Sequence, residues 1–151
     1  WRERPVSVSF FGSGSNDRSL RRYAETMNLS SAKFMGHVKG IEKIWETHHS
    51  LMLGSRTEGL PLALVEAALC GRPALVTDVA GNPEAVIDNE TGWIAAAPSV
   101  RAMDEAMERA WNDRNRWHDI GRRASEFIRT MVPADPVTPF ADKLESLAKG
   151  N

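Results

Sequence analysis

One cysteine, Cys70, stands in 151 residues, so no disulfide can close within the chain, and a reducing compartment such as the cytosol suits it. No apolar run approaches the roughly 18–20 residues that a membrane-crossing helix needs, and no signal-peptide pattern opens the chain. A surplus of either charge is lacking too: 19 Lys and Arg face 20 Asp and Glu, a net charge of −1. That balance removes the electrostatic case for nucleic acid or a membrane surface as partner. An initiator Met is missing, and the start at Trp1 suggests a piece of something longer. Internal repeats and low-complexity tracts are absent.

Two familiar phosphate-binding patterns are also missing. Gly12-Ser13-Gly14 follows an apolar stretch, but the third glycine of a dinucleotide fingerprint would fall at Asp17, so the pattern fails. No G-x-x-x-x-G-K occurs, which argues against a P-loop nucleotidase. His48 and His49 are adjacent and point in different directions on any regular element, and no Cys or carboxylate cluster completes a metal site with them. The five tryptophans lack an accompanying basic stripe, so they read as packing residues rather than a nucleic-acid platform.

What is present is ordinary globular composition, 42% hydrophobic and 26% charged, in a chain long enough to bury one sizeable core. Strand and helix patterns alternate. Strands are expected over 6–11, 33–37, 51–53, 73–77 and 93–95. Helices are expected over 17–27 (Leu20, Tyr23, Ala24 and Met27 inward), briefly around Ile41, Ile44 and Trp45, over 61–70, and over 82–87. A helix capped by Ser99 should run over 100–112 with Ala102, Ala106, Met107, Ala110 and Trp111 inward. Another over 114–130 should bury Trp117, Ile120, Ala124, Phe127 and Ile128, and the last spans about 140–148. Alternation of this kind means an α/β fold, a Rossmann-like, doubly wound parallel sheet. The domain is expected to occupy 1–132, with 133–151 as a C-terminal linker and helix.

Residues 55–73 organise the rest. Pro61 suits a first helical position, where its missing N–H has no intrahelical partner. Gly71 ends the helix and Pro73 prevents its resumption. Leu62, Val65 and Leu69 share one face and are expected to pack inward. Ala63, Glu66, Ala67 and Cys70 share another, small except for one carboxylate. Glu58 lies eight residues before Glu66, in the loop feeding the helix. A helix start offers unpaired N–H groups and partial positive charge to a phosphate. Since Pro61 has no N–H, the donors are Gly59, Leu60, Leu62 and Ala63. A carboxylate accepts two hydroxyl donors at once, as a ribose diol presents them. Taken singly, either glutamate reads as a solvated surface charge.

Glu58-Gly59-Leu60-Pro61, then Glu66-Ala67-Ala68 and Cys70-Gly71-Arg72-Pro73, resembles the E-x7-E signature of the retaining group 1, or family 4, glycosyltransferases. The resemblance continues through 77–84 and 88–92, and upstream through 12–14 and 34–38, covering roughly residues 5–130 in matching order. It implies the second, nucleotide-sugar-binding half of a glycosyltransferase B fold. It further implies transfer of a sugar, hexosyl in type, from a nucleoside diphosphate (UDP or GDP) to an acceptor with retained configuration. Glu66 would hold the ribose hydroxyls and Glu58, the catalytic candidate, the hydroxyls of the donor sugar. Backbone N–H groups from Gly59 to Ala63 would steady sugar and diphosphate, and no metal or other cofactor is required. His37 and Val38 are candidates for base recognition. Gly81 and Asn82 would form a turn facing the same cleft as Glu58. The family usually has two glycines where this chain has Ala80-Gly81, a proline at Gly54, and aspartate at His49.

The resemblance also names what lies elsewhere. The family's Arg/Lys unit that clamps the diphosphate belongs before residue 1 or is absent; Arg2 and Arg4 are poor substitutes, since they precede what looks like the second strand. The acceptor-binding N-terminal domain of the same chain is the expected partner, and the 139–149 helix is expected to pack against it. Alone, the fragment should bind nucleotide weakly and catalyse nothing. The setting is cytoplasmic, with peripheral attachment at the inner membrane open for the full-length protein. Two alternatives stay open: a nucleotide-sugar 2-epimerase or phosphorylase on the same fold, and a non-catalytic Rossmann-like interaction module.

Overall fold

The computed structural model describes Trp1 and residues 3–150, and Arg2 lies outside the described residues. The chain divides into two compact units, Trp1–Ile41 and Glu42–Asn151. The first holds β1 (Val8–Phe11), α1 (Asp17–Thr26) and β2 (Ala32–Gly36). The two strands pair in parallel, with Val8 opposite Ala32 and Phe10 opposite Phe34. The rings of Phe10 and Phe34 stack with centroids 4.9 Å apart, and the Arg21 guanidinium lies 4.8 Å from the Phe34 centroid. The expected inner stripe of α1 is not buried: Leu20, Tyr23 and Met27 are all exposed. A two-stranded sheet is too small a surface to cover a helix face.

The second unit contains α2 (Glu42–Thr47), β3 (Leu51–Leu53), α3 (Leu62–Leu69), β4 (Ala74–Thr77), α4 (Asn82–Ala85) and β5 (Gly92–Ala95). It continues with α5 (Val100–Asn112), a single 3-10 turn at Arg114–Arg116, α6 (Trp117–Met131) and α7 (Val137–Ala148). Its strands form a parallel sheet in the order β3-β4-β5, with Leu53 opposite Val76 and Val76 opposite Ile94. Each unit thus has its own parallel sheet among the described residues, β1-β2 in the first and β3-β4-β5 in the second.

Strand β4 is buried at all four residues, as a strand covered on both faces must be. Ala74 and Val76 join Leu64, Val65, Ala68, Ala85, Val86, Ala124 and Ile128 in one cluster. Leu75 joins Trp93, Ala95, Ala106, Ala110 and Ile120 in the other. Full burial of a residue such as Leu64 or Ile128 stabilises by about 1.5–3 kcal/mol. Two glycines set how closely the layers approach. A Cβ on Gly92 would stand 2.3 Å from the Ala74 carbonyl oxygen, and one on Gly121 would stand 2.0 Å from that of Gly71. Helix α6 therefore touches backbone at the end of α3, and there Ser125 donates to the Leu69 carbonyl at 3.3 Å. Arg72 ties the same corner to α2 through the Trp45 carbonyl, at 2.9 Å from Nε.

Ser99 caps α5 as expected, its hydroxyl accepting from the Ala102 amide at 3.2 Å. Pro61 is one place earlier than expected: it is the N-cap of α3 in extended conformation, and its carbonyl accepts from Leu64 and Val65. Helix α4 ends two residues sooner than expected, because Val86 turns extended. Helix α7 begins three residues sooner, because Asp135 accepts from the amides of Val137 and Thr138. That leaves Pro139 in the first turn, where its ring is tolerated.

Candidate functional site

In a parallel sheet the strands all end at one edge, and ligands of open α/β folds bind outside those carboxyl ends. Here the segments leaving that edge are 54–61 after β3, 78–81 after β4 and 96–99 after β5. Two of them are joined backbone to backbone. The Gly81 amide donates to the Gly59 carbonyl at 3.1 Å, and a Cβ on residue 81 would fall 2.3 Å from that oxygen. Only glycine lets the two loops approach so closely.

A chain of hydrogen bonds then runs beneath the loops. Asn82 Nδ2 donates to the Thr77 carbonyl at 3.0 Å, and Thr77 Oγ1 donates to the Ser55 carbonyl at 2.6 Å. Ser55 Oγ donates to Glu58 Oε1 at 2.6 Å. Thr77 and Asn82 are fully buried, so the Glu58 carboxylate rests on a chain anchored in the core. A carboxylate that accepts one hydrogen bond keeps lone pairs free for a further donor. Glu58 is half-buried with its second oxygen left for that use.

Helix α3 supplies the rest. The amides of Gly59, Leu60, Leu62 and Ala63 have no backbone acceptor among the described residues. Glu66 is half-buried on the second turn, and its carboxylate has no ion-pair or hydrogen-bond partner among the described residues. Ala63 and Glu66 remain accessible on that face while Ala67 is fully buried. The expected inward stripe needs correction: Leu62 is 77% exposed, and the buried positions are Leu64, Val65, Ala67 and Ala68. Leu62 keeps its place in the site through its backbone N–H, with an apolar side chain standing in solvent beside it.

The structure thus gathers Glu58, Gly59, Leu60, Leu62, Ala63, Glu66, Gly81 and Asn82 in one unit. Two of these differ from expectation in what they offer. The Gly81 N–H is occupied by Gly59, and the Asn82 side chain is turned wholly inward. Both hold the turn in place from beneath. His37 and Val38 belong to the other unit. They follow β2 after Gly36, whose φ is 68°, with His37 exposed and Val38 half-buried. Arg4 places its guanidinium 4.1 Å from the Trp1 ring centroid. Ser55 and Thr77 are the site residues that sequence reasoning missed. Ser three residues before Glu is a visible spacing, but it reads as a capping box, whereas here the serine hydroxyl binds the glutamate itself.

Residues 2–127 match the model of the glycosyl transferases group 1. The chain belongs to this family. It is 25% identical over 126 residues to an uncharacterized glycosyltransferase of Methanocaldococcus jannaschii, covering 82% of this chain and 36% of that protein. It is also 25% identical over 104 residues to N-acetyl-alpha-D-glucosaminyl L-malate synthase of Bacillus anthracis, with 69% of this chain and 27% of that one. Among solved structures, sucrose-phosphate synthase from Thermosynechococcus elongatus superposes with a TM-score of 0.83 at 19% identity, covering 95% of this chain and 39% of that one. HepE of Anabaena, in complex with UDP-glucose, superposes with a TM-score of 0.80 at 21% identity, covering 97% and 42%. The group 1 domain therefore has the Rossmann-like, C-terminal architecture of the glycosyltransferase B fold. It spans about a third of the length of the curated relatives it matches. No helix among the described residues is long and apolar enough to cross a membrane.

Proposed function

We propose that this domain binds a nucleoside-diphosphate sugar and, within a longer protein, serves its transfer to an acceptor with retention of configuration. The observation that carries the reading is the juxtaposition at the start of α3. Four unpaired backbone amides and two carboxylates are available, one carboxylate oriented by Ser55 and the other unpartnered. Amides attract the diphosphate, and carboxylates accept from polyol hydroxyls. In this reading Glu66 takes the ribose diol and Glu58 the hydroxyls of the donor sugar, a hexose. His37 and Val38, described in the other unit, remain the candidates for base recognition. HepE of Anabaena binds UDP-glucose, and a Mycobacterium tuberculosis relative, 25% identical over 158 residues, is GDP-mannose-dependent; both uridine and guanosine donors are therefore in scope.

The rate enhancement would come from positioning and from stabilising charge on the departing diphosphate. In this reading the two carboxylates are not an acid and nucleophile pair of the hydrolase kind, and a metal is not required. The acceptor site belongs to an N-terminal domain of the same protein, located in the cytoplasm. Product analysis tests the reading: the complete protein, given a donor sugar and acceptor, should yield a glycoside with the donor's anomeric configuration by NMR. An inverted product, a 2-epimerised nucleotide sugar or a sugar phosphate would refute it.

A further inference from the structure

Strand β4 runs Ala74, Leu75, Val76 and then Thr77, all of them buried. Valine would fill the last position with nearly the same shape, so the hydroxyl serves a bond and not the packing; buried without an acceptor it would be costly. Its acceptor lies beyond the ladder. Pairing of β3 with β4 ends at Leu53 opposite Val76, and one step further Thr77 Oγ1 donates to the Ser55 carbonyl at 2.6 Å. That carbonyl accepts from no other group among the described residues. The hydroxyl therefore takes over from the ladder where the chain leaves the sheet, and β-branching leaves its χ1 little freedom. The Thr77 carbonyl in turn accepts from Asn82 Nδ2 at 3.0 Å, and the Gly81 amide donates to Gly59 at 3.1 Å. These bonds close a ring: Thr77 to Ser55, along the chain to Gly59, across to Gly81, and through Asn82 back to Thr77. Within its 55–59 arc, Ser55 Oγ donates to Glu58 Oε1 at 2.6 Å.

We infer that Thr77 is a positioning residue for Glu58. Its hydroxyl fixes the Ser55 backbone, and from that backbone the Ser55 hydroxyl is aimed at the carboxylate. Without the Thr77 hydroxyl the Ser55 carbonyl loses its donor, and the arc carrying Glu58 is free to shift. This rests on the donor-binding reading, in which Glu58 meets the donor sugar and Glu66 the ribose, and adds to it a residue that acts on the sugar end alone. Glu66 stands outside the ring, on the second turn of α3, which the buried Leu64 and Ala67 hold against the core.

The test compares wild type, Thr77→Val and Thr77→Ser by titration with UDP and UDP-glucose, and with GDP and GDP-mannose. Thr77→Ala serves as a second variant without the hydroxyl. On whichever base binds, the quantity read is the affinity for the nucleotide sugar relative to that for the bare nucleotide. Thr77→Val and Thr77→Ala should lower this ratio by about tenfold, the effect of one hydrogen bond to a charged group, and leave bare-nucleotide affinity unchanged. Thr77→Ser should restore it. In a Glu58→Ala background Thr77→Val should lower the ratio no further. Hydrogen exchange followed by NMR adds a readout without ligand: in Thr77→Val the Gly81 amide should exchange faster while the amides of β4 and β5 keep their protection. An unchanged ratio, an equal fall in both affinities, a further fall in the Glu58→Ala background, or unchanged exchange at Gly81 overturns the inference and leaves the donor-binding reading standing. Failure of every nucleotide to bind the wild type overturns both.

Discussion

Gly81→Ala isolates the closest contact in the site. Residue 81 has φ −75° and ψ −6°, a conformation alanine adopts freely, so no backbone strain is introduced. The effect is purely steric. The new Cβ would stand 2.3 Å from the Gly59 oxygen, 2.9 Å from its carbonyl carbon and 3.3 Å from the Leu60 nitrogen. All three are backbone atoms and none can rotate away. Relief requires the 58–60 loop to move by about 1 Å, which breaks the Gly81–Gly59 hydrogen bond. Overpacking costs about 1–3 kcal/mol and the bond about 1 kcal/mol, so the variant should lose about 2–4 kcal/mol. For a chain of this size that is a fall in Tm of about 5–15 °C. Urea unfolding and a thermal scan measure the loss, and nucleotide titration should show weakened binding because Glu58 rides on the displaced loop. A Tm within about 2 °C of wild type, with binding unchanged, would refute the argument that the two loops are locked through this glycine.

Four further outcomes follow from the same structure. Ser55→Ala should leave the fold nearly intact, at a cost of about 1 kcal/mol, yet weaken donor binding by freeing Glu58 to rotate; equal binding by the variant would remove Ser55 from the site. Ala80→Gly should raise stability by about 0.5 kcal/mol, the steric relief at positive φ offset partly by glycine's unfolded-state freedom, read as a higher urea midpoint. Asp135 accepts hydrogen bonds from Thr138 and Val137, which hold its carboxyl below the ordinary aspartate value. A depressed carboxyl stabilises above its unfolded pKa and loses that contribution as pH falls through the folded one, so NMR should show the α7 start fraying below about pH 4 and intact at neutral pH. Helix α7 buries no residue, with Val137, Phe140, Leu144 and Leu147 all exposed, so limited proteolysis should cut after Pro133 well before the core, and resistance equal to the core would contradict this.

The residues around 61–77 were the most legible part of the chain. Gly71 and Pro73 close a helix wherever they occur after an apolar run, and four consecutive buried residues in β4 follow from a sheet covered on both faces. Which face of α3 turns inward was not legible. Its eight residues are apolar nearly all round apart from Glu66, so periodicity cannot choose between Leu62 and Leu64. The inner stripe of α1 failed for the opposite reason. Its period is clear, but exposure depends on how much sheet lies beneath it. Strand order was illegible in principle, since the place of β4 between β3 and β5 is written in no local pattern. The same holds for the support of Glu58. Ser55, Thr77 and Asn82 meet only because β3 and β4 lie side by side, across 22 residues of sequence between Ser55 and Thr77.

The start of α3 is proposed above as a nucleotide-sugar site. The decisive measurement is an NMR titration of the isotopically labelled chain with UDP, GDP and ADP, with Glu66→Ala as the control. Saturable shifts are expected at 59–66 and at 36–38, selective for one base and lost in the variant. Shifts that ignore the base and survive Glu66→Ala, or none at millimolar nucleotide, would contradict it.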